Sequence, residues 1–163
     1  MRTFFMGAVA ALAMGSVLML SQGISPAHAD GHAVIEKRIA YMKNDILKPF
    51  LMIKGFVKDG KGSAADVAKA ATALSAAAKG IVADYPKGSG RGDHDAKVTR
   101  ALPKIWEDWA GFEKAADVLA VEAAKLASVA AGGDAGAIGA QFGMTGKNGC
   151  GGCHKPFRGE KVK

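Results

Sequence analysis

One run of apolar residues constrains the fold of this chain more than any other feature. Leu102, Ile105, Trp109, Phe112, Ala116, Leu119, Ala123, Leu126 and Ala130 recur at strictly alternating steps of three and four. A helix turns once every 3.6 residues, so this spacing collects all of these side chains into one stripe. So regular a stripe is the seam of a long helix packed nearly antiparallel to its neighbours. It predicts a helix from about Thr99 to Ala131, stopped by Gly132-Gly133.

Three further segments carry helical spacing. Ile35, Ile39, Met42, Ile46, Phe50, Ile53 and Val57 form a stripe from about His32 to Val57, with a kink expected at Pro49, which lacks an amide donor and crowds the preceding turn. After Ser63, which with Asp66 resembles a capping box, Val67, Ala70, Ala71, Leu74, Ala78 and Ile81 make an inner face. Residues 84–92 are a loop by composition, long enough to reach from one end of a bundle towards a cofactor edge. Asp134 can cap a fourth helix that carries Ile138, Phe142, Cys150, Cys153 and His154. Alternating strands are missing. The expected fold is all-α, an antiparallel up-down-up-down four-helix bundle.

The chain opens like an exported protein. Arg2 is followed by an apolar run from Phe4 to Leu20, and Ala27-His28-Ala29 has the small-x-small form of a cleavage site. The alternative is an uncleaved anchor, for which the run is short. Residues 1–29 read as a secretory signal peptide and residues 30–163 as one domain, soluble in the periplasm, with no second stretch long and apolar enough to span a bilayer. The chain has 22 Lys and Arg against 15 Asp and Glu, and Arg2 is the only charged residue of the signal, which leaves +6. The basic residues are interspersed with acids, so they indicate a solvated helix surface and acidic docking partners rather than nucleic acid.

The chemistry concentrates at Cys150-Gly151-Gly152-Cys153-His154. A C-x-x-C-H run is the attachment signature of a c-type haem. Thiols one turn apart on a helix can each form a thioether to one edge of a porphyrin, and the histidine that follows can bind the iron. Gly151 and Gly152 place no side chain between the cysteines. A zinc site normally needs four protein ligands, and the chain has only two cysteines and four histidines, none at finger-like spacing. A dithiol redox motif would accompany a βαβ pattern, which is absent. A plain disulfide would leave His154 unexplained. Haem c, one per chain and covalent, is the cofactor expected.

With this motif near the end of a four-helix chain, the sequence resembles the class II cytochromes c, which comprise the high-spin cytochromes c′ and their low-spin c-556 type relatives. The resemblance is carried by Arg38-x-x-x-Met42, by Pro49 followed by Lys54-Gly55, by Leu102-Pro103-x-Ile105-Trp106-x-Asp108-x-x-Gly111-Phe112, and by Cys150-x-x-Cys153-His154-x-x-Phe157-Arg158. It covers nearly all of the mature chain. Pro156 departs from it and argues against a regular helix through Phe157 and Arg158.

The resemblance implies His154 as the proximal iron ligand. It implies one of two states for the opposite face. In the low-spin relatives a first-helix methionine binds there, and Met42 stands at the matching position. In cytochromes c′ that face is open, crowded by an apolar side chain, and takes small gases. The local sequence resembles the low-spin form more, so the leading expectation is a periplasmic electron-transfer protein, not an enzyme, with iron held by His154 and Met42. A thioether ligand favours reduced iron. The alternative is a five-coordinate protein that binds nitric oxide or carbon monoxide, with Met42 as core filler. Arg38, one turn before Met42, is expected to pair with a haem propionate, and Arg158 is a second candidate for that role. Redox proteins are the expected partners, and a homodimer is possible because relatives dimerise through the first two helices. His32 and His94 read as solvated.

Overall fold

A computed structural model describes the backbone of residues 26–162 and the side chains from residue 31 onward. The expected signal segment, residues 1–29, lies outside the described residues except for the backbone of its last four. Among the described residues there is no strand, and four helical rods make the bundle.

The first rod joins α1 (Pro26–Tyr41), a π-helical turn (Met42–Leu47) and α2 (Lys48–Asp59). It begins earlier than the apolar spacing suggested. The expected kink at Pro49 takes the form of that π turn. The proline ring clashes with the carbonyl four residues back and offers no amide. Widening the preceding turn to i→i−5 bonding, in which Lys48 N–H donates to Lys43 O, carries the rod past it unbroken. Gly60, in the left-handed region at φ 64°, ends the rod as its C-cap.

Ser63 then opens α3 (Ala64–Ala78). Both halves of the capping box are present: Asp66 N–H donates to Ser63 Oγ, and Ser63 N–H donates to Asp66 Oδ2. The predicted inner face, Val67 to Ile81, is buried throughout, with Ile81 in a short 3₁₀ turn.

The third rod starts later than expected. Residues 85–103 are a long link, and Leu102 belongs to it rather than to the helix. Ala101 instead bridges Arg158 antiparallel, tied by Leu102 N–H to Phe157 O and Gly159 N–H to Arg100 O. Pro103 caps one turn of helix, α4 (Lys104–Glu107), and Asp108 then breaks the ladder and caps α5 (Trp109–Ala131) by accepting from Gly111 N–H. From Phe112 onward the predicted stripe is buried.

The last rod joins α6 (Ala135–Met144), a second π turn (Thr145–Cys150) and α7 (Gly151–Phe157). The helix continues through Pro156 to Phe157. It ends at Arg158, whose backbone is extended although its N–H still donates to His154 O. Pro156 thus shortens the helix by less than the sequence suggested.

Two clusters fill the core. Ile53, Val67, Leu126 and Ile138 anchor one; Leu74, Ile105, Phe112, Leu119 and Phe157 anchor the other. Each fully buried side chain of this size contributes about 1.5–3 kcal/mol. Phe50 packs against both clusters. Ile39, assigned to the first stripe by its spacing, is instead 38% exposed, and Arg38 beside it is 4% exposed.

Candidate haem site

The second core cluster is where the site residues meet. Met42 from the first rod, Tyr85 from the long link, Trp106 and Trp109 from the third rod, and Cys150 and Cys153 from the last all pack against it. Phe112 lies at its centre, with its ring 4.8 Å from Tyr85, 5.6 Å from Trp109 and 5.4 Å from Phe157.

Cys150 and Cys153 are half-buried free thiols one turn apart. Burial, with Cys150 adding to it, pushes the Cys153 thiol up to about 11, and burial raises Cys150 as well. Both therefore stay protonated at neutral pH. A redox dithiol or a zinc thiolate needs the opposite, a lowered thiol pKa. His154, also half-buried, is pushed down to about 4, first by burial and then by the cations Arg158 and Arg100. Its ring is neutral at pH 7 and keeps a lone pair for a metal. Arg158 Nη1 stands 3.4 Å from His154 Nε2 on the exposed edge of this cluster.

Arg38 has an unusual environment. Its guanidinium donates to Ser89 Oγ at 2.8 Å, to Thr99 Oγ1 at 2.6 Å and to Ser89 O, and its Cζ lies 4.7 Å from the centre of the Tyr85 ring. Burial lowers its pKa. No carboxylate lies within ion-pair distance of it among the described residues. A buried cation held only by neutral oxygens is costly unless an anion joins it. The family resemblance picked out Arg38, but not Ser89, Thr99 or Tyr85 as its partners. An aromatic in an otherwise glycine-rich and charged loop was the one available sign of Tyr85. Ser89 and Thr99 left none.

Two histidines were also placed. His32 is solvated and lies 3.4 Å from Glu36. His94 is not free in solvent as expected: its Nε2 is 3.2 Å from Gly88 O, and it packs so close to Gly31 that a Cβ there would stand 2.7 Å from that nitrogen. Met52 and Met144 are exposed and pack against neither core cluster.

The residues present therefore fit a haem. Two thiols sit one turn apart on one rod, and a neutral imidazole follows them. A buried guanidinium feels Asp84 only at a distance and has no carboxylate in ion-pair contact among the described residues, a place a propionate would fill. Aromatic and aliphatic walls close around them.

Comparison with known proteins agrees with this geometry. The family described as cytochrome C′ matches residues 33–158. Among solved structures, the chain is similar to cytochrome c′ from Rhodobacter Spheriodes, with 26% identity, a TM-score of 0.70, and coverage of 80% of this chain and 98% of that one. It is similar to cytochrome c′ from Thermochromatium tepidum, with 30% identity, a TM-score of 0.68, and coverage of 80% and 97%. A third relative, described as a cytochrome c′ with an unusual ligand-controlled dimer dissociation, has 31% identity, a TM-score of 0.67, and coverage of 80% and 97%. No curated protein sequence matches. These relatives favour the alternative reading over the leading one. They lend no support to low-spin electron transfer with Met42 on the iron.

Proposed function

We propose a function from one premise: the chain belongs to the cytochrome c′ family. As such it carries one covalent c-type haem in a four-helix bundle. Cys150 and Cys153 would form the two thioethers and His154 would hold the iron, which would be left five-coordinate and able to take small uncharged gases. A ferrous haem held by one histidine supplies a vacant position that takes nitric oxide or carbon monoxide. The protein binds such a gas as a sensor, scavenger or store, and it is a binding protein rather than an enzyme.

The observation that carries this reading is the match over residues 33–158, which spans both Met42 and the Cys150–His154 motif. The chain's own residues support it. Met42 packs against the same cluster as both cysteines, which supports a role for its flexible thioether side chain in crowding the open face and keeping water and bulky ligands away. Arg38, desolvated and with no carboxylate among the described residues in ion-pair contact, takes a haem propionate. Arg158 lies on the exposed edge beside His154 and serves the second propionate or the proximal ring.

No helix of the described residues is long and apolar enough to cross a membrane. With residues 1–29 removed on export, the domain from Asp30 works in the periplasm. A homodimer is part of this proposal. Ile39, Leu47, Leu51 and Met52 expose apolar surface along the first rod, and one relative is described as having a dimer.

The deciding experiment is the absorption spectrum of the reduced holoprotein with and without carbon monoxide. A broad high-spin spectrum that shifts on adding the gas is the expected result. Sharp low-spin bands, indifferent to the gas and with a methionine-to-iron charge-transfer band on oxidation, would restore Met42 as a ligand and overturn the proposal.

A further inference from the structure

We propose that Thr145, with Gln141 and Glu122, is a positioning residue for the haem: it anchors the start of the π turn that sets the angle at which Cys150, Cys153 and His154 leave the bundle. The proposal rests on covalent attachment at the two cysteines and ligation by His154, and it is independent of whether the sixth position is open.

The last rod touches α5 at two levels. At the first, Thr145 is wholly buried. Its hydroxyl lies 2.9 Å from Gln141 O and 3.3 Å from Glu122 O, across the interface, and shares its proton between them. Gln141 Nε2 donates to Glu122 Oε2 at 2.7 Å, and Lys125 Nζ holds the other carboxylate oxygen, Oε1, at 3.2 Å. The polar knot is thus satisfied within itself although Glu122 is buried, and such a network fixes one arrangement of its members.

At the second level, Gly149 lies against Leu119. A Cβ at Gly149 would stand 2.7 Å from Leu119 Cδ1 and 3.1 Å from its Cα, so the two backbones meet almost directly. Leu119 and Glu122 are one turn apart on α5, and Gly149 and Thr145 are one turn apart on the antiparallel rod.

The π turn fills the interval between these two contacts. Its i→i−5 bond, from Gly151 N–H to Gly146 O, admits one residue more than an α turn would. Returning it to α spacing would rotate everything beyond it by about 100° about the rod axis and move it by about 1.5 Å. Beyond it, after Gly151 and Gly152, come the second cysteine and the histidine. Knot and glycine contact together therefore hold the extra residue in place. The hydroxyl of Thr145 is the part of that anchor which a side-chain change can remove without altering shape.

The test compares wild-type holoprotein with Thr145→Val, which keeps the volume, and Thr145→Ser, which keeps the hydroxyl. The readouts are the iron–histidine stretching band of the ferrous protein and its ferric electron paramagnetic resonance signal. Thr145→Val is expected to keep its covalent haem by mass and its helical content, yet to displace the band and shift the ferric signal. Thr145→Ser is expected to restore both. A Thr145→Val protein that loses stability but keeps the parental band and signal would show a purely structural role and overturn the proposal. Should that variant not accumulate, Gln141→Met removes the other cross-interface bond of the knot, from Gln141 Nε2 to Glu122 Oε2, while leaving the Thr145 hydroxyl contacts to backbone oxygens in place. Failure of both to mature would also mark the knot as structural and sink the idea. A wild-type protein without covalent haem would be a different result, since it would remove the cofactor premise itself.

Discussion

Side chains at this site owe their chemistry to a lack of water and of counter-charge. The imidazole of His154 is neutral because burial and two arginines make its protonation costly. Met42 is the side chain on which the two iron states divide. Under the five-coordinate reading Met42→Ala leaves the spin state unchanged and relieves crowding. Relief of about 1.4 kcal/mol would tighten carbon monoxide binding about tenfold, and a gas titration measures it. A loss of low-spin bands with a fall in reduction potential would identify Met42 as the ligand instead. Gly149 gives a second prediction at this scale. With Leu119 backbone 3.1 Å from where its Cβ would be, Gly149→Ala overpacks the interface and costs about 1–3 kcal/mol in urea unfolding of the holoprotein.

The first and last rods are each interrupted once by a π turn, the first beginning at Met42 and the second ending at Cys150. Such turns often mark functional positions in helices. Elsewhere the rods follow ordinary capping. Ser63→Ala removes the acceptor for Asp66 N–H and is expected to cost about 1 kcal/mol, read from denaturant midpoints. Its pH dependence has a definite sign. Hydrogen bonds from Ser63 hold the Asp66 carboxyl below its ordinary 3.8. A depressed carboxylate stabilises the fold above its unfolded pKa, and that contribution is lost as pH falls through the folded value. The gap between wild type and Ser63→Ala should therefore be full at neutral pH and shrink below pH 3.8.

For the whole molecule, the cofactor is part of the core as much as of the site. One of the two apolar clusters gathers Met42, Tyr85, Trp106, Trp109, Cys150 and Cys153 around Phe112. A Cys150→Ser, Cys153→Ser double variant, unable to attach haem covalently, is expected to lose melting temperature and helical ellipticity together, because a group that binds only the folded chain stabilises it by mass action. The exposed apolar residues of the first rod make a separate prediction. Leu51→Glu, at a position 49% exposed, should leave the fold intact and shift sedimentation towards a monomer. Unchanged sedimentation of both proteins at the dimer mass would move the interface elsewhere.

Taken alone, the amino-acid order determined how many rods there are, which face of α3 and α5 turns inward, and where Ser63 and Asp134 cap. These features are local: they depend on spacing within a turn or two, and spacing is written in the chain. The choice between Ile39 and Arg38 for the inner face is different. Both fit the stripe, and Arg38 is buried because Ser89 and Thr99, more than fifty positions away, supply the oxygens its guanidinium needs. The same holds for residues 99–103, which have helical spacing yet pair with the tail beyond His154. It holds too for both π turns, since α and π bonding draw on the same residue types. Only tertiary structure decided these, because each depends on which distant segment satisfies a buried polar group or leaves room for an extra residue.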